Sequence, residues 1–221
     1  MTERESIIQL IQEEKLIAIF RKVPVEKAGR AAQALVRGGV RLLEVTFDQQ
    51  SADPAKAYAE TVEAIRAAVG DRLCLGAGTV LTGAQAAAAH AAGAGYIISP
   101  NTDEEVISMT RQLGMVSIPG AMTPTEISRA YKLGGDIIKL FPADDLGYHY
   151  IWNLRGPLPH IPLLATGGVD PSTIPEFFRA GVNGVGTGIS IIRRDLLEQD
   201  DYAAIEALAR EHVAAIRRIS Q

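Results

Sequence analysis

Short apolar runs, separated by stretches with helical patterning, recur along the whole chain. Eight of them read as strands: Leu16–Arg21, Val40–Thr46, Leu73–Ala77, Tyr96–Ser99, Met115–Ile118, Asp136–Phe141, Pro162–Thr166 and Gly184–Thr187. Several are nearly continuous in apolar residues instead of alternating, as parallel strands covered on both faces should be. The stretches between them carry helix starts. Asp53-Pro54, Thr82 with Gln85, Asn101 with Glu104, Thr123-Pro124 with Glu126, and Asp170-Pro171 each supply a capping oxygen, a proline at the first helical position, or a capping-box partner. Gly38, Gly70, Gly93, Gly114, Gly134 and Gly181 mark the stops, where the chain needs a left-handed cap before the next strand.

Helix and strand alternating in this way imply parallel βαβ units with right-handed crossovers. Eight such units predict a closed (β/α)8 barrel, a TIM barrel near the small end of its size range, occupying residues 1–221 as one domain. A doubly wound open sheet is the competing architecture, but it would normally use fewer strands. Ile7, Ile8, Leu10 and Ile11 predict an additional amphipathic helix at the N-terminus, placed to close the barrel's floor.

Composition narrows the picture. The 221 residues are 47% hydrophobic and 22% charged, with a net charge of -4, which offers no basic field to nucleic acid or to an anionic membrane. A single cysteine, Cys74, rules out a disulfide or a thiolate metal cluster within the chain and suits a reducing cytoplasm. Thr2-Glu3-Arg4-Glu5 lacks the basic-then-apolar pattern of a secretory signal. No Asp, Glu, Lys or Arg occurs from Leu73 to Thr102, yet glycines break that stretch into pieces too short to span a bilayer. It reads as strand, helix, strand in the packed interior.

Barrels do their chemistry at the carboxyl ends of the strands. Strand one ends there in Arg21, strand two brings Glu44 and Thr46, and Gly78-Thr79 follows strand three. Strand four ends in Ser99-Pro100-Asn101 and strand five in Pro119-Gly120. Lys139 lies within the apolar strand six; strands seven and eight end in Thr166-Gly167-Gly168 and Gly186-Thr187-Gly188. Burial lowers the pKa of a lysine and leaves a neutral amine able to attack a carbonyl. The same residues also have structural readings. Lys139 fits a rim residue that snorkels to water, Glu44 a partner that neutralises it, Arg21 a solvated rim cation and Gly167-Gly168 a turn. Glycine-rich ends after the last two strands are also where barrels bind phosphate. The four histidines, His90, His149, His160 and His212, have no metal-ligand spacing, so no metal cofactor is expected.

Taken together, Leu43-Glu44-Val45-Thr46, Gly76-Ala77-Gly78-Thr79-Val80, Ile98-Ser99-Pro100, Ile118-Pro119-Gly120, Ile138-Lys139-Leu140-Phe141-Pro142-Ala143, Gly156-Pro157 and Ala165-Thr166-Gly167-Gly168-Val169 resemble the KDPG/KHG aldolases. These are class I enzymes for 2-keto-3-deoxy-6-phosphogluconate and 4-hydroxy-2-oxoglutarate. The resemblance implies a metal-free homotrimer of (β/α)8 barrels acting on a small keto acid and releasing pyruvate. It makes Lys139 the Schiff-base lysine and Glu44 the proton shuttle. It gives the substrate carboxylate to Thr79 and an arginine, and the rest of the pocket to Pro100, Thr166, Gly167, Gly168 and Gly188. Some members carry that arginine just after the Glu-Val-Thr strand and others at the end of strand one. Here the first place is Asp48, which leaves the role to Arg21.

A second departure concerns the far end of the substrate. Phosphate-binding members follow the strand-eight Gly-X-Gly with serine, whereas Gly188 here is followed by Ile189 and then Ser190. That favours a keto acid without phosphate, or one with a second carboxylate. The competing functions are a phosphosugar isomerase or epimerase on the same barrel, and a sugar-acid-binding barrel without catalysis.

Overall fold

The apolar runs line up side by side, each fully buried where it crosses the middle of the molecule. The computed structural model describes residues 1–219. A first helix, α1 (Glu3–Glu14), leads into β1 (Leu16–Phe20), α2 (Val25–Arg37), β2 (Leu42–Thr46), α3 (Pro54–Val69) and β3 (Cys74–Gly78). Then come α4 (Gly83–Ala91), β4 (Tyr96–Ile98), α5 (Glu104–Gln112), β5 (Val116–Ile118), β6 (Gly120–Ala121) and α6 (Pro124–Lys132). The chain continues through β7 (Ile138–Leu140), α7 (Ala143–Arg155), β8 (Leu163–Thr166), α8 (Ile174–Ala180), β9 (Gly184–Thr187), α9 (Arg194–Glu198) and α10 (Tyr202–Ile219).

All strand pairs are parallel, in the order β5-β4-β3-β2-β1-β9-β8-β7-β6. The outermost members of that order, β5 and β6, are separated by Pro119 alone, so the chain itself joins the two edges into a barrel. The expected eight strands are therefore present with the fifth in two pieces. Pro119 has no N–H to continue the ladder, while its carbonyl still accepts from the Lys139 amide at 2.9 Å. The uncharged stretch folds as β3, α4 and β4, and no helix among the described residues is long and apolar enough to cross a membrane.

The interior of the barrel is filled by Ile17, Leu42, Tyr96, Ile98, Val116, Ile118, Ile137 and Leu164, and α1 continues this cluster through Ile7, Ile8, Leu10 and Ile11. The first helix is thus the floor its apolar stripe predicted. An Arg4–Asp136 ion pair anchors it, and Asp136 also accepts from the Ser117 amide at 2.9 Å and from Arg111 at 3.2 Å. A larger cluster packs the outer faces of the strands against the surrounding helices.

The predicted helix starts at Asp53, Thr82 and Thr123 are N-caps, the last a complete capping box with Glu126. Two others differ. Asp103, not Asn101, caps α5, its carboxylate accepting from the Val106 amide at 3.0 Å. Asp170 instead organises a turn, accepting from the amides of Ser172 at 2.7 Å and Thr173 at 3.0 Å, so that α8 begins only at Ile174 with Pro175 in its first turn. Among the stops, Gly38 is right-handed at φ −73°, and the left-handed residue is Gly39 at φ 94°.

Candidate active site

Alternation along the strands fixes what points inward. Leu42 and Ile137 belong to the interior cluster, so Glu44 and Lys139, two residues further on, face inward one layer nearer the mouth. Both are buried, with 2% and 3% of their surface exposed. The Lys139 amine lies 4.7 Å from the centre of the Phe141 ring. Burial pushes the Lys139 pKa down; Glu44 opposes the shift and the Arg21 guanidinium reinforces it. Burial pushes Glu44 up, against the pull of Lys139 and then Arg21. The ring face favours an ammonium, but desolvation is the larger influence. Both groups are driven toward their uncharged forms, an amine and a carboxylic acid. Among the described residues, the enclosed side-chain polar atoms without a hydrogen-bond partner are Tyr58 Oη and Tyr96 Oη.

Two inward glycines of β3 make room for this arrangement. A Cβ on Gly78 would fall on the Glu44 carboxylate, and one on Gly76 would clash with the Tyr96 ring. Gly78→Ala is expected to push the carboxylate aside by about 1 Å and lower kcat by about 10²-fold. The overpacking should cost about 1–3 kcal/mol of stability. Steady-state kinetics with a matched thermal melt checks both.

The remaining predicted residues ring the mouth. Arg21 is exposed just past β1, yet its charge reaches both Lys139 and Glu44. Thr79 follows β3 at φ 56°, half-buried, and its carbonyl accepts from Gln49 Nε2 at 2.7 Å. Gln49 Oε1 in turn accepts from Gln85 Nε2 at 2.9 Å, a brace that only the fold brings together. Pro100 is half-buried, with its backbone against Gly120. Thr166 faces Gly186, where an added Cβ would lie 2.9 Å from its hydroxyl. Gly167 and Gly168, at φ 111° and 63°, turn over Asp144, and Gly188 packs on Ile19. Asp48 points into its own turn, accepting from the Gln50 amide at 3.0 Å.

Past β9 the serine is turned inward. Ser190 Oγ donates to the Val169 carbonyl at 2.7 Å, and lies 2.6 Å from Thr187 Oγ1 and 3.0 Å from Nε2 of the buried His212. Ile189 instead projects outward, 86% exposed. Gly76 and Gly78 stand in the Gly76-Ala77-Gly78-Thr79-Val80 motif, but the room they make, the glutamine brace and this inward network were not read from sequence. Glycine at alternate positions of one strand, Gly76 and Gly78, was the available signal for the first of them.

A desolvated amine beside a buried acid, at the open end of a parallel barrel, defines the class of lysine-dependent enzymes that act on carbonyl compounds. The family model for KDPG and KHG aldolase matches residues 7–208, so the chain belongs to the KDPG and KHG aldolase family. It is 32% identical over 207 residues to a 2-dehydro-3-deoxy-phosphogluconate aldolase of Treponema pallidum, covering 93% of this chain and 95% of that protein. It is 35% identical over 193 residues to a KHG/KDPG aldolase of Escherichia coli, covering 86% of each. Among solved structures, the KDPG aldolase of Legionella pneumophila, with pyruvate captured as a covalent carbinolamine, superposes with a TM-score of 0.81. The two are 26% identical, and the match covers 92% of this chain and 96% of that one.

Proposed function

We propose that the chain cleaves a 2-keto-4-hydroxy acid, of the 2-keto-3-deoxy-6-phosphogluconate or 4-hydroxy-2-oxoglutarate type, to pyruvate and an aldehyde. The carrying observation is the desolvated Lys139 amine held with Glu44 at the barrel mouth. The neutral amine attacks the C2 ketone to give a carbinolamine. Glu44 as the acid protonates its hydroxyl, water leaves, and an iminium forms. The Glu44 carboxylate then takes the C4 hydroxyl proton as the C3–C4 bond breaks; the aldehyde departs and its bonding electrons move into an enamine. A proton returns to C3, and hydrolysis of the iminium frees pyruvate and the amine.

Arg21 and Thr79 hold the C1 carboxylate through charge-assisted hydrogen bonds, while Pro100 and Thr166 line the pocket. The backbone amides at Gly167, Gly168 and Gly188 serve the far end. Because Ser190 is committed inward and Ile189 stands outward, that end lacks a serine donor, which favours substrates without phosphate. The activity is read as that of a single barrel domain, which one family model over residues 7–208 supports, acting in the cytoplasm, which the lone cysteine suits. A homotrimer is the assembly that the family resemblance implies.

The test is pyruvate release across phosphorylated and unphosphorylated 2-keto-3-deoxy acids and 4-hydroxy-2-oxoglutarate. Release is expected, with higher kcat/KM for the unphosphorylated members. Activity confined to phosphorylated members would overturn the substrate preference, and no pyruvate from any member would overturn the function.

A further inference from the structure

Gly76 pairs in register with Glu44 on one side and with Tyr96 on the other. The three residues therefore form one inward-facing row across neighbouring strands. With no side chain at its centre, the row lets the Tyr96 ring lie across Gly76 toward β2. The Glu44 carboxylate is found one layer higher, against Gly78. Tyr96 is fully buried, and its hydroxyl has no partner among the described side chains. An enclosed phenol costs stability unless it is hydrogen-bonded, and buried donors in polar surroundings are commonly satisfied by ordered water.

We propose that Tyr96 is a positioning residue for Glu44: its ring props the carboxylate against Gly78, and its hydroxyl donates to that carboxylate through one ordered water. The inference rests on the reading of Lys139 and Glu44 as a working pair. The titratable groups whose fields reach the Tyr96 hydroxyl are Cys74, Glu44 and Tyr58. Those that act on Glu44 are Lys139 and Arg21. Burial pushes the Cys74 thiol up to about 11. It therefore stays protonated at neutral pH and is a weak acceptor, whereas a carboxylate is a strong one. Tyr58 also has an enclosed, unpartnered hydroxyl, but it projects from the outer helix α3 and stacks on Phe47 at 4.6 Å.

A donor to the ionised carboxylate favours its charged form. Glu44 works first as the acid, so its ionisation sets an alkaline limb of the kcat/KM profile; Tyr96→Phe keeps the ring and removes the donor, and that limb should move up by about half to one pH unit. At a fixed pH on that limb the rate should rise about 3- to 10-fold. Borohydride trapping of pyruvate at saturation and the melting temperature should not fall, because the ring packing is retained. An alkaline limb that stays in place would overturn the proposal. So would a high-resolution crystal structure with no water within hydrogen-bond distance of both Tyr96 Oη and Glu44. Wild-type protein that fails to trap pyruvate would instead defeat the reading of Lys139, so the two failures are distinguishable.

Discussion

Lys139→Met is expected to abolish borohydride trapping of pyruvate and to lower kcat by roughly 10⁴- to 10⁶-fold, the scale seen when a nucleophile is removed. Methionine keeps most of the length of the side chain without its amine, so the buried site stays largely filled. Stability should hold or rise, since a desolvated amine is replaced by an apolar group. The folded-state pKa of Lys139 is lowered, while the unfolded chain titrates near about 10.4. Between those two values the unfolded state binds more protons, so the wild type gains stability as pH rises through that window. The gain is lost again as pH falls through the lowered pKa. The methionine variant should show a flatter rise. Mass spectrometry of the trapped protein, kinetics and alkaline melting curves read these effects; full-stoichiometry trapping by the variant would show that another amine forms the adduct.

Glu44→Gln should slow turnover by about 10²–10⁴-fold, the usual contribution of a positioned acid–base group. Glutamine fills the same space against Gly78 but neither donates a proton to the departing hydroxyl nor accepts one from the C4 hydroxyl. The adduct with pyruvate should still form, more slowly, because dehydration of the carbinolamine loses its acid. The alkaline limb that reports Glu44 should vanish from the pH profile. Stopped-flow trapping alongside steady-state pyruvate release separates the two steps. Unchanged turnover would remove Glu44 from the chemistry.

Much of the barrel was legible because parallel strands buried on both faces leave a simple trace, a short apolar run with glycine or proline at its ends. Helix starts were readable where capping chemistry is local, as at Thr123 and Glu126. They were misplaced where two polar residues compete, since Asn101 and Asp103 both offer an oxygen and only the fold selects Asp103. The break at Pro119 followed from proline's missing donor, yet it becomes a change of neighbouring strand only when the sheet closes. In the site, Lys139 and Glu44 stood out as ionisable groups in apolar strands. Tyr96 did not, because an aromatic residue in a strand reads as core. Its relation to Glu44 depends on a register across three strands that no local pattern encodes.

Helix α1 seals the bore from beneath, with Ile11 only 3% exposed and its neighbours reaching the same cluster as Ile137 and Leu42. The dryness that discharges the amine is thus maintained partly from the far end of the molecule. Loosening this plug is expected to admit water below the reactive layer and give the ammonium back its hydration, so a polar change in the first turns of the chain should raise the lowered Lys139 pKa without touching the mouth.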